Sequence, residues 1–225
     1  MAAASLGPEI SPVPLPHADG GFTTILADPP WRFQNRTGKV APEHRRLDRY
    51  STLSMSEICN LDVVSIAAHD AHLYLWVPNA LLIEGLTVMH AWGFRYVSNI
   101  VWAKRRRDGG PDGRGVGFYF RNVTELILFG VRGHLRTLAP GRHQVNIIET
   151  RKREHSRKPD EQYGLIEACS PPPYLELFAR YPHPGWITWG DEAPESIEPR
   201  GLQHRGYKGG EISHQLNSPG QPSLI

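Results

Sequence analysis

Apolar runs alternate with polar segments from about residue 21 to residue 193, and the lengths of the runs alternate between those typical of strands and of helices. Short apolar and β-branched runs predict strands at Phe22–Ala27, His72–Val77, Tyr96–Val101, Thr124–Val131, Tyr174–Ala179 and Trp186–Trp189. Helical spacing predicts helices through Ile66, over Ala80–Ala91 and from Pro159 to about Cys169. This alternation predicts an α/β fold with a mostly parallel sheet flanked by helices.

The two ends of the chain have a different composition from the part between them. Residues 1–20 contain four prolines and no apolar periodicity, and residues 194–225 are rich in Pro, Gly, Ser and Gln. Both are predicted to be flexible tails. One domain is therefore expected over residues 21–193. Within it, the glycine- and arginine-rich stretch from Arg105 to Gly117 is predicted to be a mobile loop.

Charge and cysteine content narrow the class of protein. The formal net charge is only +2, but positive charge is concentrated at Lys104–Arg107 and Arg151–Arg153. Each run is either a solvated loop or a contact for a polyanion. The two cysteines form no metal-ligand pattern, and neither a signal peptide nor an apolar run of about 20 residues is present. We therefore expect an intracellular protein, cytoplasmic in a bacterium or a phage-infected cell and nuclear in a eukaryote, with no bound metal and no membrane contact.

In parallel α/β sheets, ligands bind beyond the carboxyl ends of the strands. The residues predicted to lie at this edge are Asp28 and those that follow it, Pro78, Lys104, Arg180 and Gly190. This edge is therefore where a functional site is expected.

The tetrad Asp28-Pro29-Pro30-Trp31 directly follows the first predicted strand. Its prolines fix the backbone and leave carbonyl acceptors, Asp28 adds a carboxylate, and Trp31 adds a flat aromatic face. Acceptors for an amine, a rigid support and an aromatic platform are what an extruded adenine requires. The alternative is a rigid turn in which Trp31 fills the core.

Further along the chain the tetrad is followed, in order, by stretches that together resemble one family. With the tetrad, these stretches are Ala27–Trp31, Tyr50–Ser54, Leu73–Val77, Ile100–Lys104, Glu125–Val131, Ser156–Glu161, Glu176–Arg180 and Gly185–Gly190. In this order they resemble the METTL-type adenine-N6 methyltransferases, which include the catalytic subunit of the eukaryotic messenger-RNA adenosine methyltransferase and bacterial and phage relatives. The resemblance covers about Ile25 to Glu192.

The resemblance implies a Rossmann-like class I methyltransferase fold with a circularly permuted motif order. The acceptor-amine motif comes first and the cofactor half comes last, which explains why no glycine-rich motif lies near the amino terminus. It also implies S-adenosyl-L-methionine as the cofactor. The catalytic residues would be those of the tetrad, namely Asp28, Pro29, Pro30 and Trp31.

On the cofactor side, the resemblance implies that Lys158 pairs with the methionine carboxylate and that Arg180 contacts the ribose. Asp191 and Glu192 stand where relatives have an Asn-Gln or Asn-Glu pair, and an aspartate accepts hydrogen bonds from ribose hydroxyls but donates none. His183 lies near the family's His-Asn pair, although Tyr181 and Pro182 change the spacing.

On the substrate side, Tyr50 resembles a tyrosine that gates the target pocket, with a core tyrosine as the alternative. Glu125 is expected to balance Lys158 or Lys104 in a buried polar network. The other residues implied to face the target nucleotide are Lys104, Arg121, Asn122 and either Arg151 or Arg153.

The compact chain resembles bacterial and phage members and predicts methylation of adenine in DNA, with the basic loops contacting phosphates. The same reaction on RNA is an alternative, as is a catalytically inactive nucleic-acid-binding partner subunit. A small-molecule methyltransferase is disfavoured because it would not need exposed arginine loops. Association with a second copy or a related subunit is also expected from the resemblance.

Overall fold

The computed structural model describes residues 14–32, 52–113, 119–151 and 157–190. Within these ranges the strands are β1 (Phe22–Ala27), β2 (Ala67–Val77), β3 (Arg95–Arg105), β4 (Thr124–Arg132), β5 (Ile147–Arg151), β6 (Tyr174–Leu177) and β7 (Trp186–Trp189). The helices are α1 (Met55–Cys59), α2 (Val63–Ile66), α3 (Leu82–Ala91) and α4 (Glu161–Cys169), with 3-10 turns at Asn79–Leu81 and Pro140–His143.

The seven strands form a single sheet in the order β5-β3-β4-β2-β1-β6-β7. β1 pairs in parallel with β2 and β6, β6 with β7, and β3 with β5. β4 alone runs antiparallel, between β2 and β3. Six strands therefore point the same way, and the predicted Rossmann-like α/β fold with a mostly parallel sheet is confirmed.

Each face of the sheet is covered by helices, so the structure has three layers. On one face Ile25 and Leu73 pack against apolar residues of α1, α2 and α3, including Ile58 and Val88. On the other face the aromatic residues Tyr74, Trp76 and Trp102 pack with Ile166 of α4. Leu15 and Ala18, at the end of the segment predicted as a tail, are partly buried against the first face.

The bounds of β1 and β7 agree with the sequence prediction, whereas other elements differ. Ser54 and Glu57 form a capping box at the start of α1: the Ser54 hydroxyl accepts from Glu57 N, and the Glu57 carboxylate accepts from Ser54 N. The helix does not continue to Ile66, because Asp62 caps a separate short helix, α2, through Ser65 N. β5 was not predicted, since its sequence Ile-Ile-Glu-Thr-Arg has only two apolar residues.

The described part of the glycine-rich loop, residues 106–113, is held by backbone hydrogen bonds. Arg106 N donates to Gly110 O at 2.7 Å, and Asp112 N donates to Lys104 O at 2.8 Å. Arg105 belongs to β3, and its guanidinium is paired with Glu149 on β5. This part of the predicted mobile loop is therefore a tight turn continuing β3. None of the helices in the described ranges is long and apolar enough to cross a membrane.

Candidate active site

Three charged residues from distant parts of the chain meet at the carboxyl edge of the sheet. Asp28 directly follows β1, and Lys158 lies three residues before α4. Glu125 is the second residue of β4, and the antiparallel direction of β4 brings its beginning to the same edge as the ends of β2 and β3. The edge at which a functional site was expected is therefore where these side chains converge.

The side chains form a row of alternating charges. Lys158 Nζ lies 2.9 Å from Glu125 Oε2 and 3.3 Å from Asp28 Oδ1. Glu125 Oε1 is paired with Lys104 Nζ. The predicted network, in which Glu125 balances Lys158 or Lys104, is present with both lysines. Each ammonium also lies over an aromatic ring: Lys158 is 4.9 Å from the ring centre of Trp76, and Lys104 is 4.8 Å from that of Trp102.

Burial and pairing act differently on the members of this row. Burial raises the Glu125 pKa, but Lys158 and Lys104 outweigh it and hold that pKa at about 2. Burial lowers the Lys158 pKa, but Asp28 and Glu125 outweigh it and raise that pKa. For Asp28, burial prevails over the attraction of Lys158 and Arg180, so its pKa is raised. Glu125 is the closer partner of Lys158, and Asp28 is the carboxylate more ready to hold a proton.

The backbone of the tetrad is fixed by hydrogen bonds as well as by its prolines. Trp31 N donates to Pro29 O at 2.8 Å, and Leu53 N donates to Pro30 O at 3.1 Å. A carbonyl oxygen has two lone pairs, so each still has capacity for a second donor. The turn is therefore rigid, and the Asp28 carboxylate projects from a fixed position.

Trp31 does not provide the exposed aromatic face that its sequence context suggested. Its indole is 7% exposed and is packed into the core on the α1–α3 face. The indole Nε1–H donates to the Trp76 carbonyl at 2.9 Å, which ties the tetrad to β2. The alternative, a rigid turn with Trp31 filling the core, therefore describes this side chain, because burial in the core leaves no ring face for a base.

Sequence reasoning missed two residues on the α4 side of the site. Glu176, in the middle of β6, accepts a 2.8 Å hydrogen bond from the Tyr163 hydroxyl of α4. Burial raises the Glu176 pKa to about 7, the negative charge of Asp28 adds to the rise, and the hydrogen bond from Tyr163 opposes it. The sequence does contain a signal for Glu176, because it places a carboxylate between two leucines of a predicted strand. Carboxylates are rarely buried in a strand unless they are paired with another group.

The predicted cofactor residues that the structure describes occupy two places. Arg180 lies close enough to Asp28 for its charge to lower the Asp28 pKa. His183 stacks on the Tyr163 ring with centres 3.8 Å apart, and its Nε2 is 3.7 Å from Glu167 Oε1. His183 is thus linked to Asp28 only indirectly, through Tyr163 and Glu176. Asp191 and Glu192 lie outside the described residues.

Arg121 and Asn122, two of the predicted substrate residues, lie beside the segments that follow β3 and β2 at the carboxyl edge of the sheet. Arg121 Nη1 donates to Gly113 O at 3.4 Å, and Asn122 Oδ1 accepts from Asn79 Nδ2 at 3.5 Å. Arg151 ends β5 beside Arg105 of β3. Tyr50 and Arg153 lie outside the described residues. In the ranges that the structure covers, no three His, Cys, Asp or Glu side chains are grouped as metal ligands.

Comparison with known proteins identifies the family. The model of the MT-A70 family matches residues 22–192, which is most of the chain. The chain belongs to the MT-A70 family. S-adenosylmethionine is the methyl donor of the methyltransferases in this family. The site fits such a ligand, because the cations Lys158 and Arg180 match the carboxylate of its methionine part and the Glu176 carboxylate matches its ammonium.

The chain is similar both to long eukaryotic proteins and to a compact bacterial one. It is 33% identical over 178 residues to the human N(6)-adenosine-methyltransferase catalytic subunit METTL3, covering 77% of this chain and 28% of METTL3. It is 30% identical over 208 residues to a probable N(6)-adenosine-methyltransferase MT-A70-like protein of rice, covering 90% of this chain and 27% of the rice protein. The chain thus spans under a third of these relatives.

The bacterial relative matches over most of its length. The Type II methyltransferase M.MunI of Mycoplasma sp is 28% identical over 194 residues, covering 78% of this chain and 79% of M.MunI. The two proteins are therefore similar in extent as well as in sequence.

Proposed function

We propose that this protein transfers a methyl group from S-adenosylmethionine to the exocyclic N6 amine of adenine in DNA. The observation that carries the proposal is the Asp28 carboxylate at the end of β1. Lys158 Nζ lies 3.3 Å from Asp28 Oδ1, whereas Asp28 Oδ2 has no hydrogen-bond partner among the described residues. The Asp28 side chain is 24% exposed. A carboxylate with an open acceptor on a rigid turn, next to a cation, suits an amine substrate.

The residues of the tetrad act on the amine. Asp28 Oδ2 accepts one amine hydrogen, and the free lone pair of the Pro29 carbonyl accepts the other. Two acceptors placed in this way favour a pyramidal nitrogen whose lone pair is no longer shared with the ring. Because burial raises the Asp28 pKa, Oδ2 is also suited to take the proton that the amine loses.

The paired lysines act on the cofactor side. When bound, S-adenosylmethionine supplies a methyl group on a positively charged sulfur. Lys158, ahead of the amino end of α4, holds the carboxylate of its methionine part. Glu125 keeps Lys158 charged and in place, and Lys104 balances the charge of Glu125. The chain works by positioning and electrostatics, without a covalent intermediate on the protein.

The match with M.MunI supports DNA as the substrate, since it extends over 79% of that Type II methyltransferase. RNA is the second candidate, supported by the 33% identity with METTL3, whose name specifies N(6)-adenosine. Retention of Asp28, Lys158 and Arg180 argues against a catalytically inactive partner subunit, which would have no need of them.

The first test is to incubate the protein with labelled S-adenosylmethionine and separate DNA and RNA pools, and then to map the methylated adenines. Asp28→Asn keeps the shape of the side chain but removes the carboxylate, and we expect kcat to fall by about 100-fold or more. The matched control is Asp62→Asn, which keeps an N-cap at α2 on the other face of the sheet. Wild-type turnover by Asp28→Asn on both polymers would rule out the mechanism.

The second test separates binding from chemistry. Lys158→Ala removes a charged hydrogen-bond donor, so calorimetry should show S-adenosylmethionine binding about 10- to 100-fold more weakly. Asp28→Asn should bind the cofactor measurably, and Lys158→Arg should recover part of the lost affinity. An unchanged dissociation constant for Lys158→Ala would reject the role of this lysine.

A further inference from the structure

Two neighbouring aromatic residues are almost fully exposed in the segment that leads into β4. Tyr119 is 95% exposed and Phe120 is 85% exposed, more than any other large hydrophobic residue in the described ranges. Large aromatic side chains usually contribute most of their surface to a core or an interface. Because neither ring is buried, neither contributes hydrophobic stabilisation to the fold, which points to a contact with a binding partner.

Hydrogen bonds fix the chain that carries these rings at the edge of the site. Lys104 N donates to Val123 O at 2.9 Å, which joins the segment to the end of β3. Asn79 Nδ2, just beyond β2, donates to the backbone oxygen of Thr124 at 3.0 Å and to its hydroxyl at 3.1 Å. The segment then enters β4, whose second residue is Glu125. The segment that carries the exposed rings is therefore anchored at the same edge of the sheet as the Lys158–Asp28 network.

The dimensions suit a strand of nucleic acid. Phe120 is five residues from Glu125, so the two are at most about 17 Å apart at about 3.4 Å per residue. β4 and β1 are two positions apart in the sheet, which adds about 10 Å between Glu125 and Asp28. Stacked nucleotides follow one another at about 3.4 Å. The rings are thus at most about 27 Å from Asp28, a distance that about eight stacked nucleotides would span, so bases from the immediate neighbour of a bound adenine outwards are within their reach.

We propose that Tyr119 and Phe120 form a stacking platform for the nucleobases that flank the target adenine, with Arg121 contacting the adjacent phosphate. This inference rests on the proposed function. Extruding an adenine leaves its neighbours unstacked, and an aromatic ring can replace the lost stacking without reading the sequence. The charge favours nucleic acid over a second protein, because Arg107 and Arg121 have no carboxylate partner within the part of the chain that the structure describes.

The test uses a single-stranded 15-mer with one adenine and the fluorescent base 2-aminopurine beside it, prepared as DNA and as RNA. Tyr119→Ala and Phe120→Ala should each weaken binding, measured by anisotropy, by about 5- to 150-fold, and should reverse the quenching of 2-aminopurine. Tyr119→Trp and Phe120→Tyr should retain both signals. Tyr96→Ala is the matched control, since Tyr96 is 42% exposed at the start of β3, at the opposite edge of the sheet from the site.

A second comparison shows whether the rings contact the flanking base itself. Replacing that base by an abasic residue should weaken binding to the wild type but have little further effect on the alanine variants, because the stacking partner is already gone. Fully additive losses would overturn the proposal. Alanine variants that bind both oligonucleotides as tightly as the wild type would also overturn it. If such variants changed only the sedimentation of the protein, the rings would instead form a contact between protein chains.

These outcomes distinguish a failure of the stacking platform from a failure of the proposed function. If the wild type methylates adenine in an Asp28-dependent way but the quenching and affinity do not depend on the rings, only the stacking platform is wrong. If the rings are required for binding but neither polymer is methylated, the stacking platform stands and the proposed function is wrong.

Discussion

Replacing Glu176 by glutamine should change how the stability of the cofactor-free protein depends on pH. The pKa of Glu176 is about 7 in the folded protein, against an ordinary value of 4.5. Between these values the folded state holds a proton that the unfolded state has lost, so stability decreases as pH rises from about 4.5 to about 7 and the loss is complete above that range. A difference of about 2.5 units at 1.36 kcal/mol each corresponds to roughly 3 kcal/mol.

Glutamine has the same shape and its carbonyl still accepts the Tyr163 hydroxyl, but it does not ionise. The free energy of unfolding, measured in urea, should therefore be similar for the two proteins near about pH 4, below the ordinary pKa of the carboxyl. Near about pH 8.5 the Glu176→Gln variant should be about 2 to 3 kcal/mol more stable. All other groups titrate in both proteins, so the difference isolates Glu176. The exposed Glu161 supplies the control variant, Glu161→Gln. A difference between the proteins that does not vary with pH would refute the reasoning.

Two other substitutions test the network and the tetrad. Glu125→Gln should cost about 3 kcal/mol at neutral pH, because it leaves Lys104 and Lys158 near each other without their shared carboxylate. The Glu125 pKa is lowered from 4.5 to about 2, so this cost should be full above pH 4.5 and should disappear as the pH falls to about 2. Urea titrations in which the cost persists at about pH 2 would contradict the assignment. Trp31→Phe should lower stability by about 1 to 2 kcal/mol, through the lost hydrogen bond to Trp76, and leave kcat largely unchanged. An unchanged urea midpoint together with a raised KM for nucleic acid would instead show that Trp31 meets the substrate.

Local patterns along the chain determined much of the architecture. Phe22–Ala27 and Trp186–Trp189 are strands because their apolar and β-branched side chains are suited to a buried sheet, whatever their neighbours are. The order of the motifs also pointed to Asp28, Lys158 and Arg180 as one site. Strands of a parallel sheet end at one edge, so residues that follow different strands come together without any knowledge of the packing.

Tertiary structure alone decided the orientation of β4 and the surroundings of individual side chains. The antiparallel pairing of β4 between β2 and β3 is a long-range choice, and it places Glu125 beside Lys158. Trp31 is a core residue because apolar residues from other parts of the chain pack around its indole. The sequence of the tetrad itself is equally compatible with a buried tryptophan and with an exposed aromatic platform. The raised pKa of Glu176 likewise depends on its burial beneath Tyr163 and near Asp28. Sequence patterns report which residues are adjacent along the chain, whereas desolvation and charge pairing depend on residues far apart in it.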